Sequence, residues 1–375
     1  MLEIKQISTS RRDLLKFVHF GIDLYKGNDY YVPPFVLDDV GSLNPKTNPA
    51  FEFCEAAYFM AYRDGRPVGR IAAIINSQTN KKYGSKDCRF GFLDFTDDPE
   101  VSGALFGAAE KWARSKGMDR MIGPLGFTDM DREGLLVEGF EELSTMATNY
   151  NYPYYERHLL ENGYVKDSDW VEYLLTVPEK VPERFDRIAT MVKEKYRLTV
   201  VKYKSRKKAK AEIGRPLFDL INEAYKNLYQ YSPLTERQKD YYVDYYLRLV
   251  TLDLLTFVKD SEGKLVGVGI TLPSLSRALQ KSGGRLLPFG WLPLLKGLKG
   301  KNDRVDLLLV AVDPEYQNKG VNALMFQDLI PMFNKHGFKY AESNPEMELN
   351  SKVQSQWELF EPRQHRRRRS YAKSI

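Results

Sequence analysis

The chain repeats itself, and the repeat limits the folds open to it. Residues 58–73 predict a strand, a tight turn at Asp64-Gly65 and a second strand. Residues 255–270 repeat that pattern, with Glu262-Gly263 and Val266-Gly267 in register with Asp64-Gly65 and Val68-Gly69. A second pair agrees. Asp98-Pro99-Glu100 opens a helix that stops near Gly117, and Asp313-Pro314-Glu315 precedes one that stops near Gly337. A weaker third pair sets Ile4 to Ile7 and the stripe Leu14, Leu15, Val18 beside Thr199 to Tyr203 and Leu217, Leu220, Ile221. Both halves therefore read strand, helix, hairpin, strand, helix, strand, which predicts an α/β chain of two similar domains.

The boundary is placed where Pro178 and Pro182 give way to a charged helix carrying Phe185, Ile188, Met191 and Val192. This gives an N-terminal domain over 1–178, a linker helix over 179–197 and a C-terminal domain over 198–375. With 375 residues, 43% of them hydrophobic, the chain can supply a core to each domain. No apolar run approaches the ~20 residues that span a bilayer, and the start of the chain lacks a signal-peptide stretch, so a cytoplasmic protein is expected. Cys54 and Cys88 are the only cysteines and the four histidines are scattered, so neither a disulfide framework nor a metal site is expected.

The halves differ at one place. Pro314 to Gly337 spans 23 residues and Pro99 to Gly117 only 18, and most of the difference falls on Gln317 to Val321. There an apolar strand over 305–312 runs through a polar turn with Gly320 into the helical pattern Ala323, Leu324, Phe326, Leu329, Ile330, Phe333. Such a corner turns backbone N–H groups toward an anion, a pyrophosphate for example. One working site is expected, in the C-terminal half.

Gln317-Asn318-Lys319-Gly320-Val321-Asn322 resembles the Q/R-x-x-G-x-G/A signature of the GNAT superfamily of acyl-CoA-dependent N-acyltransferases, and the order of elements in each half resembles that fold. The resemblance implies two GNAT-like domains, each a mixed, mostly antiparallel sheet flanked by helices, with acetyl-CoA or another acyl-CoA as co-substrate and an unidentified amine as acceptor. It implies that Gln317 to Asn322 hold the diphosphate. Leu309, Val310, Ala311 and Val312 would bind the pantetheine through their main chain. Asn350 would open the segment resembling the family's N-x-x-A-x-x-x-Y helix. Asn322 is bulkier than the family's small residue there, and Trp357 stands where the family commonly has a phenol that acts as general acid. The N-terminal half keeps the phenols Tyr154, Tyr155 and Tyr164 but lacks the turn. The rival reading is a non-catalytic acyl-CoA sensor or scaffold.

Glu342, on a strand between apolar neighbours, is the expected general base, with Glu346 and Glu348 as lesser candidates on a loop. Tyr371 is the candidate acid. Residues 283–300, rich in Leu, Phe and Trp and broken by Pro288 and Pro293, have no counterpart in the first half. They can plug a domain interface, line an acyl or acceptor pocket, or rest on a membrane surface. Much of the net charge of +6 sits in two runs, Lys204 to Lys210 and Arg363 to Arg369, the second holding the four consecutive arginines Arg366 to Arg369. Position argues against nucleic acid for that run, because a last strand is expected there and alternation sends two arginines to each face.

Overall fold

The computed structural model describes residues 1–299, 302–350 and 354–375. The elements are β1 (Leu2–Ile7), α1 (Arg11–Leu24), α2 (Val36–Leu43), β2 (Cys54–Arg63), β3 (Arg66–Asn76), α3 (Ser77–Tyr83), β4 (Asp87–Phe95), α4 (Pro99–Ser115), β5 (Arg120–Gly123), β6 (Leu135–Glu138), α5 (Tyr154–Glu161) and β7 (Val165–Thr176). There follow α6 (Glu183–Lys195), β8 (Thr199–Val201), α7 (Arg206–Tyr225), α8 (Glu236–Leu249), β9 (Leu255–Lys259), β10 (Leu265–Pro273), α9 (Ser276–Ser282), α10 (Trp291–Lys299), β11 (Arg304–Val312), α11 (Val321–His336), β12 (Tyr340–Ser343), β13 (Glu346–Met347) and β14 (Arg363–Ser374). They form two compact units. Unit 1 holds Met1–Val171, Leu275–Leu294 and His365–Ile375, and unit 2 holds Glu172–Ser274 and Leu295–Gln364.

Unit 1 is a sheet in the order β1-β2-β3-β4-β5-β14-β7, in which β4 runs parallel to β5 and the pairs β1–β2, β2–β3, β3–β4 and β5–β14 are antiparallel. Strand β2 shows how the sequence sorts its two faces. Its alternate residues Ala57, Phe59 and Ala61 pack with Val101, Leu105 and Ala109 of α4, while Tyr58 and Met60 pack with Leu14, Phe17 and Val40 of α1 and α2. Period-two alternation with both faces apolar is what a central strand between helical layers requires. The turn between β2 and β3 has Asp64 at φ 49° and Gly65 at φ 78°, the pair of left-handed residues that a two-residue hairpin demands.

Unit 2 repeats the plan with β7, β12, β11, β10, β9 and β8 in that order. Strands β11 and β12 are its parallel pair. Helices α6 and α11 cover one face through Phe185, Ala189, Val192, Leu324, Phe326 and Ile330. On the other face an apolar cleft is lined by Ile213 and Leu217 of α7, Val243 and Tyr246 of α8, and Leu255, Phe257 and Ile270.

The expected boundaries differ from this division in three places. Helix α6 is no linker: its apolar stripe belongs to the core of unit 2, with Phe185 against Phe326 and Phe360 at ring separations of 5.4 and 5.3 Å. Leu275–Leu294 of the insertion after β10 belong to unit 1, where Val36 N donates to Gly284 O at 3.0 Å and Gln280 Nε2 donates to Asp29 O and Tyr31 O, both at 2.9 Å. The last strand also returns to unit 1, pairing Tyr371 with Gly123 and Lys373 with Met121. A strand edge takes whatever complementary edge lies beside it, whichever repeat the chain has just left.

That return explains the arginine run. Arg367 and Arg369 reach Asp169 at 3.0 and 2.7 Å, and Arg369 also reaches Glu156 at 3.0 Å. Arg366 and Arg368 donate to the carbonyls of Leu143 and Asn149. Burial alone would raise the Asp169 carboxyl, but hydrogen bonds from Arg369, Lys166 and Arg367 hold it at about 2. The run is interior wiring of unit 1, two side chains to each face as alternation predicts. Among the described residues no helix is long and apolar enough to cross a membrane.

Candidate active site

The site is built where β11 and β12 part. Leu308 is an extra residue on β11, since Ile270 pairs with Leu309 and the next residue of β10, Thr271, with Leu307. The parallel ladder with β12 ends at Leu307 and Ser343, and there Asn344 Nδ2 donates to Leu308 O at 2.6 Å. Beyond this clasp, among the described residues, Leu309–Val312 have strand partners on β10 alone. The far edge of that segment is the stretch the resemblance assigns to an amide-bearing chain. One of its acceptors is already engaged, because Tyr225 OH donates to Val310 O at 2.9 Å.

The turn after β11 is held from within. The Asp313 carboxylate accepts from Glu315 N at 2.9 Å and pairs with Lys264 at 2.9 Å, while Gln317 Nε2 donates to Val312 O at 3.1 Å. Asn318 at φ 60° and Gly320 at φ 83° carry the chain into α11. Helix α11 starts at Gly320 with no side-chain cap and no acidic residue in its first turn. Ala323 N donates to Gly320 O at 3.0 Å, and the N–H groups of Val321 and Asn322 stand at the positive end of the helix dipole. Gln317, Asn318 and Lys319 are exposed, and Lys319 Nζ lies 5.1 Å from the ring centroids of both Tyr196 and Tyr316. These residues fit a diphosphate: a cation and uncapped N–H groups face solvent, and no carboxylate opens the helix.

Gly320 has a second reason to be glycine. A Cβ there would lie 2.8 Å from Ile188 Cγ2 and 2.9 Å from Val192 Cγ2, both on α6. Val321 is buried in the core behind the turn. Asn322 Nδ2 donates to Gln356 Oε1 at 2.8 Å, and its Oδ1 is buried without a partner. Asn350 is part of a backbone turn, its N–H donating to Met347 O at 2.9 Å. The segment expected to form a helix from Asn350 to Trp357 lies partly outside the described residues and ends as a 3-10 turn over Ser355–Phe360.

The structure places the carboxylates differently from one another. Glu342 is buried within β12, register partner of Asp306, with its carboxylate 3.6 Å from Arg304. Glu346 lies just past the clasp and receives a hydrogen bond from Trp357 Nε1, 2.9 Å to one oxygen and 3.1 Å to the other. Burial pushes the Glu346 carboxyl up to about 8, against the hydrogen bonds from Trp357 and Ser343. Glu346 is a lesser candidate in the sequence, and Trp357 at the family's phenol position is the signal that draws attention to a neighbouring acid. Tyr371 is not in this unit. It lies on β14 in unit 1, where its OH donates to Glu156 Oε1 at 2.6 Å, and burial raises its phenol well above the usual value.

In unit 1 the corresponding phenols are engaged. Tyr155 OH contacts Asp94 at 3.2 Å and Tyr25 OH at 2.7 Å, Tyr25 OH donates to Asp94 at 2.7 Å, and Arg70 Nε donates to the same carboxylate at 2.7 Å. Tyr154 OH donates to Phe95 O.

No family model matches the chain. It is similar to the protein YghO of Escherichia coli strain K12, 27% identical over 371 residues that cover 98% of this chain and 94% of that one. It is 30% identical over 290 residues to a bacterial ceramide synthase of Caulobacter vibrioides, covering 77% of this chain and 74% of the relative. Among solved structures, a tandem GNAT protein from the clavulanic acid biosynthesis pathway superposes with a TM-score of 0.56 at 13% identity, over 100% of this chain and 98% of that one.

Proposed function

The chain belongs to the family of the Caulobacter ceramide synthase and has the tandem GNAT fold, and from that premise we propose that it is an N-acyltransferase joining the acyl group of a coenzyme A thioester to the amine of a long-chain lipid base. The observation that carries the reading is the corner between β11 and α11. It presents the edge of β11 beyond its pairing with β12, a helix N-terminus without a side-chain cap, and Lys319. A ceramide is the amide of a fatty acid and a long-chain amino alcohol, and the relative's name therefore supplies the acceptor class.

The reaction forms a C–N bond, breaks a C–S bond and moves one proton from nitrogen to sulfur. In this reading Gln317 to Asn322 hold the diphosphate, and the main chain of Leu309, Ala311 and Val312 aligns the thioester. Glu346 replaces the missing phenol. Its carboxyl is protonated near neutrality, gives that proton to the departing sulfur, and is restored by the proton that the amine releases. Trp357 cannot transfer a proton but fixes the carboxyl that does. Glu342 is the other acceptor for the amine proton, and its ion pair with Arg304 favours a structural role.

Calorimetric titration with acetyl-CoA and palmitoyl-CoA tests the cofactor, and turnover with long-chain and short amines tests the acceptor. Glu346→Gln should lower turnover about 100-fold with acyl-CoA affinity nearly unchanged, while Glu342→Gln should change turnover little. The reverse ranking would transfer the role to Glu342. Tight acyl-CoA binding with no turnover on any amine would favour the sensor.

A further inference from the structure

The insertion between β10 and β11 carries its apolar residues outward. Leu286, Leu287, Phe289, Trp291, Leu292 and Leu295 are all exposed, Leu287 at 76% and Phe289 at 70%, while Leu294 is the residue of α10 that turns inward. Elsewhere among the described residues such large exposed apolar side chains are scattered.

This loop is built to hold that shape. Gly284, at φ 70°, is clamped at the base, where a Cβ would lie 1.9 Å from Pro34 O. Arg285 N donates to Ser282 O at 3.1 Å, Trp291 N to Leu286 O at 3.0 Å, and Trp291 Nε1 to Pro288 O at 3.2 Å. Gly290 lets the loop close on itself, since a Cβ there would lie 1.7 Å from Arg285 O. Backbone groups are satisfied inside while the side chains of Leu287 and Phe289 project into solvent. A loop ordered in this way loses solvation free energy unless something covers it.

Charge names the cover. From Arg277 to Lys299 the chain carries Arg277, Lys281, Arg285, Lys296 and Lys299 and no acidic residue. Among the described residues, Lys281, Arg285, Lys296 and Lys299 have no carboxylate partner. An apolar tip with an aromatic at its edge and unpaired cations around it matches the headgroup layer of an anionic bilayer. A second copy of the chain fits poorly, because a two-fold contact would set this wholly cationic segment against itself.

We propose that residues 281–294 dock the protein on an anionic membrane surface, with Leu287 and Phe289 inserted and Lys281 and Arg285 on the headgroups. This rests on the segment itself and is independent of the reaction proposed above. The full chain should sediment with vesicles of equimolar phosphatidylcholine and phosphatidylglycerol at low salt, and much less with phosphatidylcholine alone. The double variant Leu287→Glu and Phe289→Glu, whose side chains touch no core, should keep its thermal melt and partition at least about tenfold more weakly. Lys281→Gln and Arg285→Gln should each weaken binding about fivefold at low salt. Failure to bind the anionic vesicles, or equal binding by the double variant, would overturn the proposal. So would a doubling of mass by light scattering that the double variant abolishes, since a second copy would then be the cover.

Discussion

The two repeats make the same corner and leave it with opposite chemistry. In unit 1 only residues 96–98 separate β4 from α4, and Asp98 caps the helix through Glu100 N at 3.0 Å while Arg63 binds Asp98 at 2.6 Å and Glu100 at 2.7 Å. The helix dipole there is answered by the protein's own carboxylates. In unit 2 the connection runs from Asp313 to Gly320, the helix begins without a side-chain cap, and the nearest charge is Lys319. A helix N-terminus is a half-charge that a fold either uses for its own stability or keeps for a ligand. Several more residues of turn and one missing carboxylate separate the two uses.

The largest effect expected from this comparison is at Gly320. Gly320→Val should cost about 3 kcal/mol in urea unfolding, from a left-handed backbone that a β-branched residue resists and from overlap with Ile188 and Val192. Gly337→Val is the matched control: its φ is 80° but nothing lies within 4 Å of the added Cβ, so about 1–2 kcal/mol should be lost. Equal losses would mean that α6 does not press on the turn.

Next comes Glu346. Its folded carboxyl is held near 8 and its unfolded value is near 4.5, so between those values the native state binds more protons and stability falls as pH rises. Relative to wild type, Glu346→Gln should therefore be equally stable below pH 4.5 and increasingly more stable up to pH 8, the gap between 4.5 and 8 setting an upper limit of about 5 kcal/mol. A difference that does not change with pH would show that the carboxyl is not desolvated.

The smallest effects separate the corners by function. Asp98→Ala should cost about 1 kcal/mol of stability and leave acyl-CoA affinity alone. Lys319→Glu should do the converse, weakening acyl-CoA about tenfold while the melt stays within a degree or two of wild type. Loss of affinity in the Asp98 variant would place a cofactor in unit 1 and break the comparison.

Much of this was legible in the residues. The hairpins at Asp64-Gly65 and Glu262-Gly263, the helix stops at Gly117 and Gly337, and the longer second turn all depend on φ preferences and capping among neighbouring residues, which a sequence displays directly. Three features were not legible: the return of β14 to β5, the place of α6 in a core, and the pairing of Trp357 with Glu346. Each depends on what stands next to a residue after folding. The apolar stripe of α6 says that the helix is covered but not by what. The sequence shows Glu346 as one carboxylate among several on a loop.

Two copies of one α/β plan and a longer turn before α11 could be read along the chain, because periodicity, turn chemistry and loop length act over a few residues. Folding decided which unit takes residues 275–294 and 365–375, and that the Glu346 carboxyl is desolvated enough to hold its proton near neutral pH. Edge pairing and desolvation are set by neighbours remote in the chain, such as Gly123 for Tyr371 and Trp357 for Glu346.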